Sequence, residues 1–231
     1  MEDNAGEGGI GLIYDPMKTQ RLPEENSRLK AKYRLTSLFY DLLDYPWERQ
    51  YRLWRPGILQ DVHGRVFEAG VGTGRNLPFY ASGVELTAID LSEGMLRQAG
   101  KRVAIARCRV ALEQCDAVDL HRFPTESFDW YISTFMYCVM PDRLQPSALR
   151  EMARLLKPGG RFRLIEMVYS KEEALRRRQE ILAPFVECVY GARFDRDTLG
   201  HISAMRDVRV DRVSFLKADT YLLIEGSKFR R

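Results

Sequence analysis

From Val66 onward, short apolar runs alternate with stretches of helical period, a pattern that predicts β-α-β units building a parallel sheet. Strands are expected at 66–69, 85–90, 109–115, 128–135 and 161–168. Ser92 and Glu93 open a helix whose apolar positions Met95, Leu96, Ala99 and Val103 share one face. Leu149, Met152, Ala153, Leu155 and Leu156 make the apolar face of a second helix, which the KPGG at 157–160 is expected to stop and turn into the fifth strand. The tail breaks the rhythm: 208–216 and 220–226 are two strand-like runs joined only by 217–219, and so short a link permits only an antiparallel hairpin. The expected architecture is an α/β sheet whose last strand runs against the others.

Composition narrows the function classes. With 231 residues, 45% of them apolar, the chain can bury one good core, which predicts a main domain over 61–231 preceded by a tail and N-terminal helical lid over 1–60. A formal charge of +4 is mild and does not demand a nucleic-acid partner. Cys108, Cys115, Cys138 and Cys188 form no C-x-x-C pair and have no histidine spaced to complete a zinc site, so no metal is expected and the thiols read as reduced, in a cytoplasmic protein. The longest uncharged apolar-rich run, 130–140, falls far short of the roughly 20 residues a membrane-spanning helix needs. The acidic, Gly-rich start at 1–9 lacks the layout of a secretory signal and is expected to be a disordered tail.

The densest chemical signal is the stretch EAGVGTGRN, in which Gly70, Gly72 and Gly74 alternate directly behind the first strand. Such spacing brings backbone close to a ligand or makes a tight turn. A dinucleotide fingerprint needs a small residue five positions after the first glycine, where Arg75 stands, and a phosphate-binding P-loop needs Gly-Lys-Ser/Thr, which is absent. Asp90 follows Gly70 by twenty positions and ends the second predicted strand, where a carboxylate can accept from both hydroxyls of a ribose. Asp116, beyond the third strand, is placed for an adenine edge or for a helix cap. Cys138 reads as a small buried hydrophobe rather than a nucleophile.

EAGVGTG, AIDLSEGML, DAVDL followed by FPTESFDWYISTF, and EMARLLKPGGRFRLIE together resemble the ordered motifs of class I S-adenosylmethionine-dependent methyltransferases, over about residues 66–168. They are similar to the branch holding the ubiquinone and menaquinone methyltransferases and bacterial phospholipid N-methyltransferases. The resemblance implies a Rossmann-like, three-layer α/β/α fold, its seven-stranded, mostly parallel sheet having an antiparallel last strand. It implies that Gly70, Gly72 and Gly74 line the methionine and ribose side of S-adenosyl-L-methionine, that Asp90 holds the ribose hydroxyls, and that Leu91 and Met95 flank the adenine. Asp116 and Ala117 would meet the adenine edge, Thr134 the methionine part, and Glu68 either orders the loop or meets the cofactor's amino group. Many relatives end the fifth strand with Glu-His; here Glu166 is followed by Met167.

The acceptor is less legible, because a sulfonium needs only a nucleophile held in line behind its methyl, with no metal or triad. Between residues 26 and 60 seven basic residues stand against three acidic ones, an excess equal to the charge of the whole chain, interleaved with Tyr33, Phe39, Tyr40, Trp47, Tyr51 and Trp54. That mixture suits either a lid packed on the cofactor cleft, the expected reading for 38–43, or a helix in an anionic membrane interface, an equal alternative for 47–55. Nucleic acid ranks below both. Tyr137 after the fourth strand, and Tyr40 in YDLL, similar to the relatives' N-terminal Tyr-Asp element, are the candidates to take a proton; Arg193 offers a guanidinium for a phosphate, or for a surface ion pair. The expected activity is methylation of a small-molecule or lipid acceptor, first the amine of phosphatidylethanolamine, at a peripheral site on the inner membrane surface. The alternatives are C-methylation of a quinone precursor, another small molecule, or a non-catalytic cofactor-binding scaffold.

Overall fold

The computed structural model describes the backbone of residues 45–230 and the side chains from Arg49 to Arg230. The expected tail, the 38–43 lid and Tyr40 lie outside the described residues. Seven strands form one sheet, β1 (Arg65–Ala69), β2 (Glu85–Asp90), β3 (Arg109–Gln114), β4 (Phe128–Thr134), β5 (Leu156–Met167), β6 (Val208–Phe215) and β7 (Tyr221–Lys228). Their spatial order is β3-β2-β1-β4-β5-β7-β6. β3, β2, β1, β4 and β5 pair in parallel, and β7 lies antiparallel between β5 and β6. This is the expected Rossmann-like sheet with its reversed last strand.

Period-two alternation divides the core between the two faces of the sheet. Phe67 and Tyr131 point to the side covered by α3 (Gln145–Leu155) and α5 (Thr198–Ser203), where they meet Leu149, Met152 and Ile202. Val66, Trp130 and Ile132 point to the side covered by α1 (Tyr45–Leu59) and α2 (Glu93–Val103), against Ile58, Leu59, Leu96 and Ala99. The result is three layers. α2 starts where the sequence places it, because the Ser92 hydroxyl accepts from the Met95 N–H at 3.4 Å and caps the first turn. Lys101 and Arg102 complement the carbonyl end of the helix.

Two elements depart from the sequence expectation. β5 begins at Leu156 rather than 161: Leu156 already pairs with Phe128, and the KPGG residues loop out opposite Asp129 before Arg161 resumes the ladder against Trp130. A glycine is needed at 160, since a Cβ there would sit 2.9 Å from the Lys157 carbonyl oxygen. The second is α4 (Glu173–Tyr190), an eighteen-residue helix in the insert before the final hairpin. Only Gln179 of its residues is buried, and the side-chain oxygen of that glutamine accepts from Ser170 N–H at 2.7 Å, while its Nε2 donates to Val168 O and Thr220 Oγ1. Pro184 inside the helix hides it from a periodicity reading.

Candidate active site

Strand order reverses between β1 and β4, and in an open α/β sheet that switch point leaves a crevice beyond the carboxyl ends of the strands. The glycine loop leaves β1 into it. Gly70 and Gly72 hold φ of 76° and 55°, left-handed values that side chains resist. Gly70 and Val71 donate to Ile89 O at 3.0 and 2.9 Å, Gly72 to Asp90 Oδ2 at 2.9 Å, and Gly74 to Val71 O at 2.9 Å. These amides are therefore spent on the protein and make no nest for a phosphate. What the loop offers instead is a smooth surface: a Cβ on Gly72 would project into open space. Gly74 is different, because its missing Cβ would lie 2.9 Å from Ala99 Cα and from Leu77 Cδ1. The expectation that Gly74 lines the ligand is corrected accordingly: it lets α2 press against the loop.

Two carboxylates stand on the same rim. Asp90 accepts from Gly72 N–H and, through Oδ1, from Ser92 N–H at 2.8 Å, which leaves lone pairs on both oxygens for hydroxyl donors. Its surroundings withdraw it from water and push its pKa up to about 6, against the pull of those backbone donors. Glu68 is buried on the α1/α2 side of β1; it accepts from Asn76 Nδ2 at 2.7 Å and from the Tyr80 hydroxyl at 3.0 Å, and burial raises its pKa to about 7. Asn76 also donates to Thr134 Oγ1 at 2.9 Å and accepts from Arg55 Nε at 2.8 Å. Of the two expectations for Glu68, the loop-ordering one matches these bonds, although the residue also borders the cavity.

A cavity of about 530 Å³ fills the crevice. Gly70, Gly72, Asp90, Leu91, Met95, Asp116, Ala117 and Thr134 all line it, so the residues that the resemblance picks out do converge. Asp116 Oδ1 takes the Val118 N–H at 3.1 Å, a turn that fixes its carboxyl at the edge. Beyond Thr134 the lining turns apolar, with Met136, Val139, Met140 and Met167 below and Leu175, Leu182 and Val186 of α4 above. Phe135 holds φ of 60°, an unusual conformation for a bulky side chain, with its ring 5.1 Å from Tyr51 and 6.0 Å from Tyr221. All three rings border the cavity.

The expectation of Tyr137 as a base fails, while Arg193 takes the surface ion-pair alternative rather than the phosphate one. Tyr137 is sealed in the core: its hydroxyl lies 3.2 Å from that of Tyr131, its N–H donates to Glu166, and burial drives the phenol pKa far up. A group so enclosed reaches no acceptor, so it is not the base. Arg193 stays at the surface, forked onto Asp195 at 2.9 and 2.6 Å and bonded to Glu187 at 3.1 Å, outside the cavity. Cys138 is fully buried, as expected, and Cys108, Cys115, Cys138 and Cys188 are free thiols. The sequence reading missed Arg55, Asn76 and the α4 wall; Asn76, two residues past Gly74, was the one with a local signal.

Residues 66–160 match the family model described as a methyltransferase domain. This span is a methyltransferase domain. The chain is 36% identical over 124 residues, 53% of its length, to a phosphatidylethanolamine N-methyltransferase of Cereibacter sphaeroides, covering 60% of that protein. It is 28% identical over 176 residues, 68% of its length, to a ubiquinone/menaquinone biosynthesis C-methyltransferase of Geobacter sulfurreducens, covering 64% of it. The chain thus spans under two thirds of the length of either curated relative. Among solved structures, a SAM-dependent methyltransferase from Thermotoga maritima superposes with a TM-score of 0.61 at 23% identity, over 85% of this chain and 99% of that one. The methyltransferase domain therefore contributes β1 through the start of β5, and with them the glycine loop, Asp90, Asp116 and Thr134. Among the described residues, no cluster of His, Cys, Asp and Glu is arranged to hold a metal ion, and no helix is long and apolar enough to cross a membrane.

Proposed function

We propose that the chain is an S-adenosylmethionine-dependent methyltransferase acting on an amphiphilic acceptor, first the amine of phosphatidylethanolamine. The observation that carries this reading is the single cavity joining an acidic, glycine-lined rim to an apolar chamber under α4. The rim suits a sulfonium nucleoside, because its loop amides are already bonded and Asp90 and Asp116 present carboxylates to a cation, while Arg55 and Arg75 line the cavity beside the loop. Gly70 and Gly72 allow close approach, Asp90 takes the ribose hydroxyls, Leu91 and Met95 flank the base, Asp116 and Ala117 meet its edge, and Thr134 faces the methionine portion. The bound cofactor supplies an electrophilic methyl carbon.

The remaining work belongs to the chamber. A primary amine is mostly protonated at neutral pH, and an ammonium must lose a proton before it can attack. Among the described lining residues of the apolar half, no carboxylate or histidine is present to take it. Apolar walls act instead by disfavouring the charged form, so the amine sheds its proton to water as it enters. α4 and the Met136, Met140 and Met167 floor then exclude water and hold the nucleophile in line. α1, which lines the cavity through Gln50, Tyr51 and Arg55, serves as a lid of this site, and the protein works in the cytoplasm at the inner membrane surface.

One observation favours a second reading. A chamber this apolar, with Arg193 outside it, also fits a flat quinone precursor methylated on carbon. Purified protein incubated with methyl-labelled cofactor and either mixed liposomes or extracted quinone precursors separates the two. Label in phosphatidylethanolamine supports the first, label in the quinone fraction alone replaces it, and label in neither overturns both.

A further inference from the structure

Helix α4 carries more apolar surface than the cavity uses. At 3.6 residues per turn Leu175, Gln179, Leu182 and Val186 fall on one stripe, and all four line the cavity. Ile181 and Phe185 stand on the neighbouring sector, 78% and 53% exposed, and Leu182 between the two sectors is 54% exposed. Apolar surface thus runs from the cavity wall around the helix to solvent. Charge is segregated on the same cylinder. Glu173, Glu180 and Glu187 recur every seven residues on a separate strip, where they hold Arg177, Arg176 and Arg193. The sector of Ile181 and Phe185 contains Arg178 and no acid.

We propose that this outer sector of α4 docks on an anionic phospholipid bilayer and that the acceptor enters the cavity past Leu182 without crossing bulk water. The proposal rests on the amphiphilic acceptor argued above. An amphipathic helix lying in an interface places large apolar side chains in the acyl boundary and basic ones at the phosphates. Ile181 and Phe185 supply the first and Arg178 the second, while the glutamate strip faces away from the lipid. With only two anchors, each more than half exposed, the attachment is reversible, which a transferase needs to reach fresh substrate.

The test uses the full chain and vesicles of phosphatidylcholine with phosphatidylglycerol, free of any acceptor. Cosedimentation is expected to fall at least about tenfold for the double variant Ile181→Ser/Phe185→Ser, since each side chain would otherwise bury a large apolar area. Arg178→Glu is expected to remove the preference for phosphatidylglycerol over pure phosphatidylcholine. Both Ile181 and Phe185 are more than half exposed, so cofactor affinity, the control for folding, should stay within about twofold of the parent. Transfer to phosphatidylethanolamine in vesicles should drop with binding, while transfer to a monomeric short-chain analogue should not. The proposal is overturned if the parent ignores both vesicles, if the double variant binds as the parent does, or if sedimentation velocity shows the patch closing a dimer that the variant dissolves. Because binding is read without acceptor, a wrong acceptor leaves the vesicle result standing, and absent vesicle binding leaves the transfer chemistry standing.

Discussion

Asp90 is asked to stay charged for a cationic ligand while sitting where water is scarce, and its pKa near 6 records the balance. In the proposed role the ionised form would accept ribose hydroxyls and attract the sulfonium; protonated, it loses the charge. Cofactor affinity should therefore improve as pH rises from about 5 to about 7 and then level off, because the competent form is the one above the pKa. Calorimetry should also show Asp90→Asn weaker by about tenfold or more at pH 7.5, the worth of hydrogen bonds to a charged acceptor. Glu166 poses the opposite case. Buried, with the Tyr137 and Cys138 N–H groups on its two oxygens, its pKa is pushed up to about 8. The folded chain thus holds a proton that the unfolded one releases near pH 4.5, so this group's contribution is full below about 4.5 and is lost as pH rises through 8. Glu166→Gln should remove that slope, the gap in unfolding free energy from the parent changing by on the order of 3 kcal/mol between pH 5 and pH 9 in denaturant titrations. The glycines and Asp90 were legible in the sequence because backbone geometry and strand ends demand those residue types at fixed spacing. Arg55 was not, because its bond to Asn76 spans 21 residues and no local pattern writes it.

At the scale of elements, the strands and α2 were readable because each buries a face whose period shows in the chain. α4 buries almost nothing, and Pro184 inside it masks the helical spacing of Leu175, Leu182 and Val186. Its attachment depends on Gln179, one amide answering Ser170 N–H, Val168 O and Thr220 Oγ1 together. Removing it by Gln179→Ala leaves the Ser170 amide without that acceptor at a cost of about 1–3 kcal/mol. The larger effect should be local. Hydrogen exchange over 173–190 is expected to accelerate while the strands keep their protection, since loosely packed segments open independently of the core. Loss of protection spread evenly over the sheet would instead mean that α4 is an integral part of the core. The extended start of β5 was hidden by KPGG, which reads as a turn and is one, looped out of a ladder that had already begun.

Across the whole molecule, the site needs α1 held firmly on the sheet, because α1 brings Arg55 to the glycine loop and Tyr51 to the cavity. Arg163 supplies much of that hold. Rising from β5 with its side chain almost wholly buried, it bonds Glu225 of β7 at 2.8 Å, Asp61 just past α1, and the carbonyl of Ile58 within α1. The same guanidinium stacks 4.8 Å from the Trp130 ring centroid. One side chain thereby ties two strands to the helix that carries Tyr51 and Arg55 to the cavity. A buried ion pair adds little net stability when made, yet breaking it strands the partners. Arg163→Ala leaves Glu225 and the Ile58 carbonyl facing a void, and should lower unfolding free energy by about 3–5 kcal/mol. The consequence for binding is separable: where the variant is still folded, hydrogen exchange should rise in α1 and cofactor affinity should fall with it, although Arg163 does not line the cavity. Unchanged affinity in a folded but destabilised variant would show that the rim holds its ligand without the helix, and that Arg55 is a bystander.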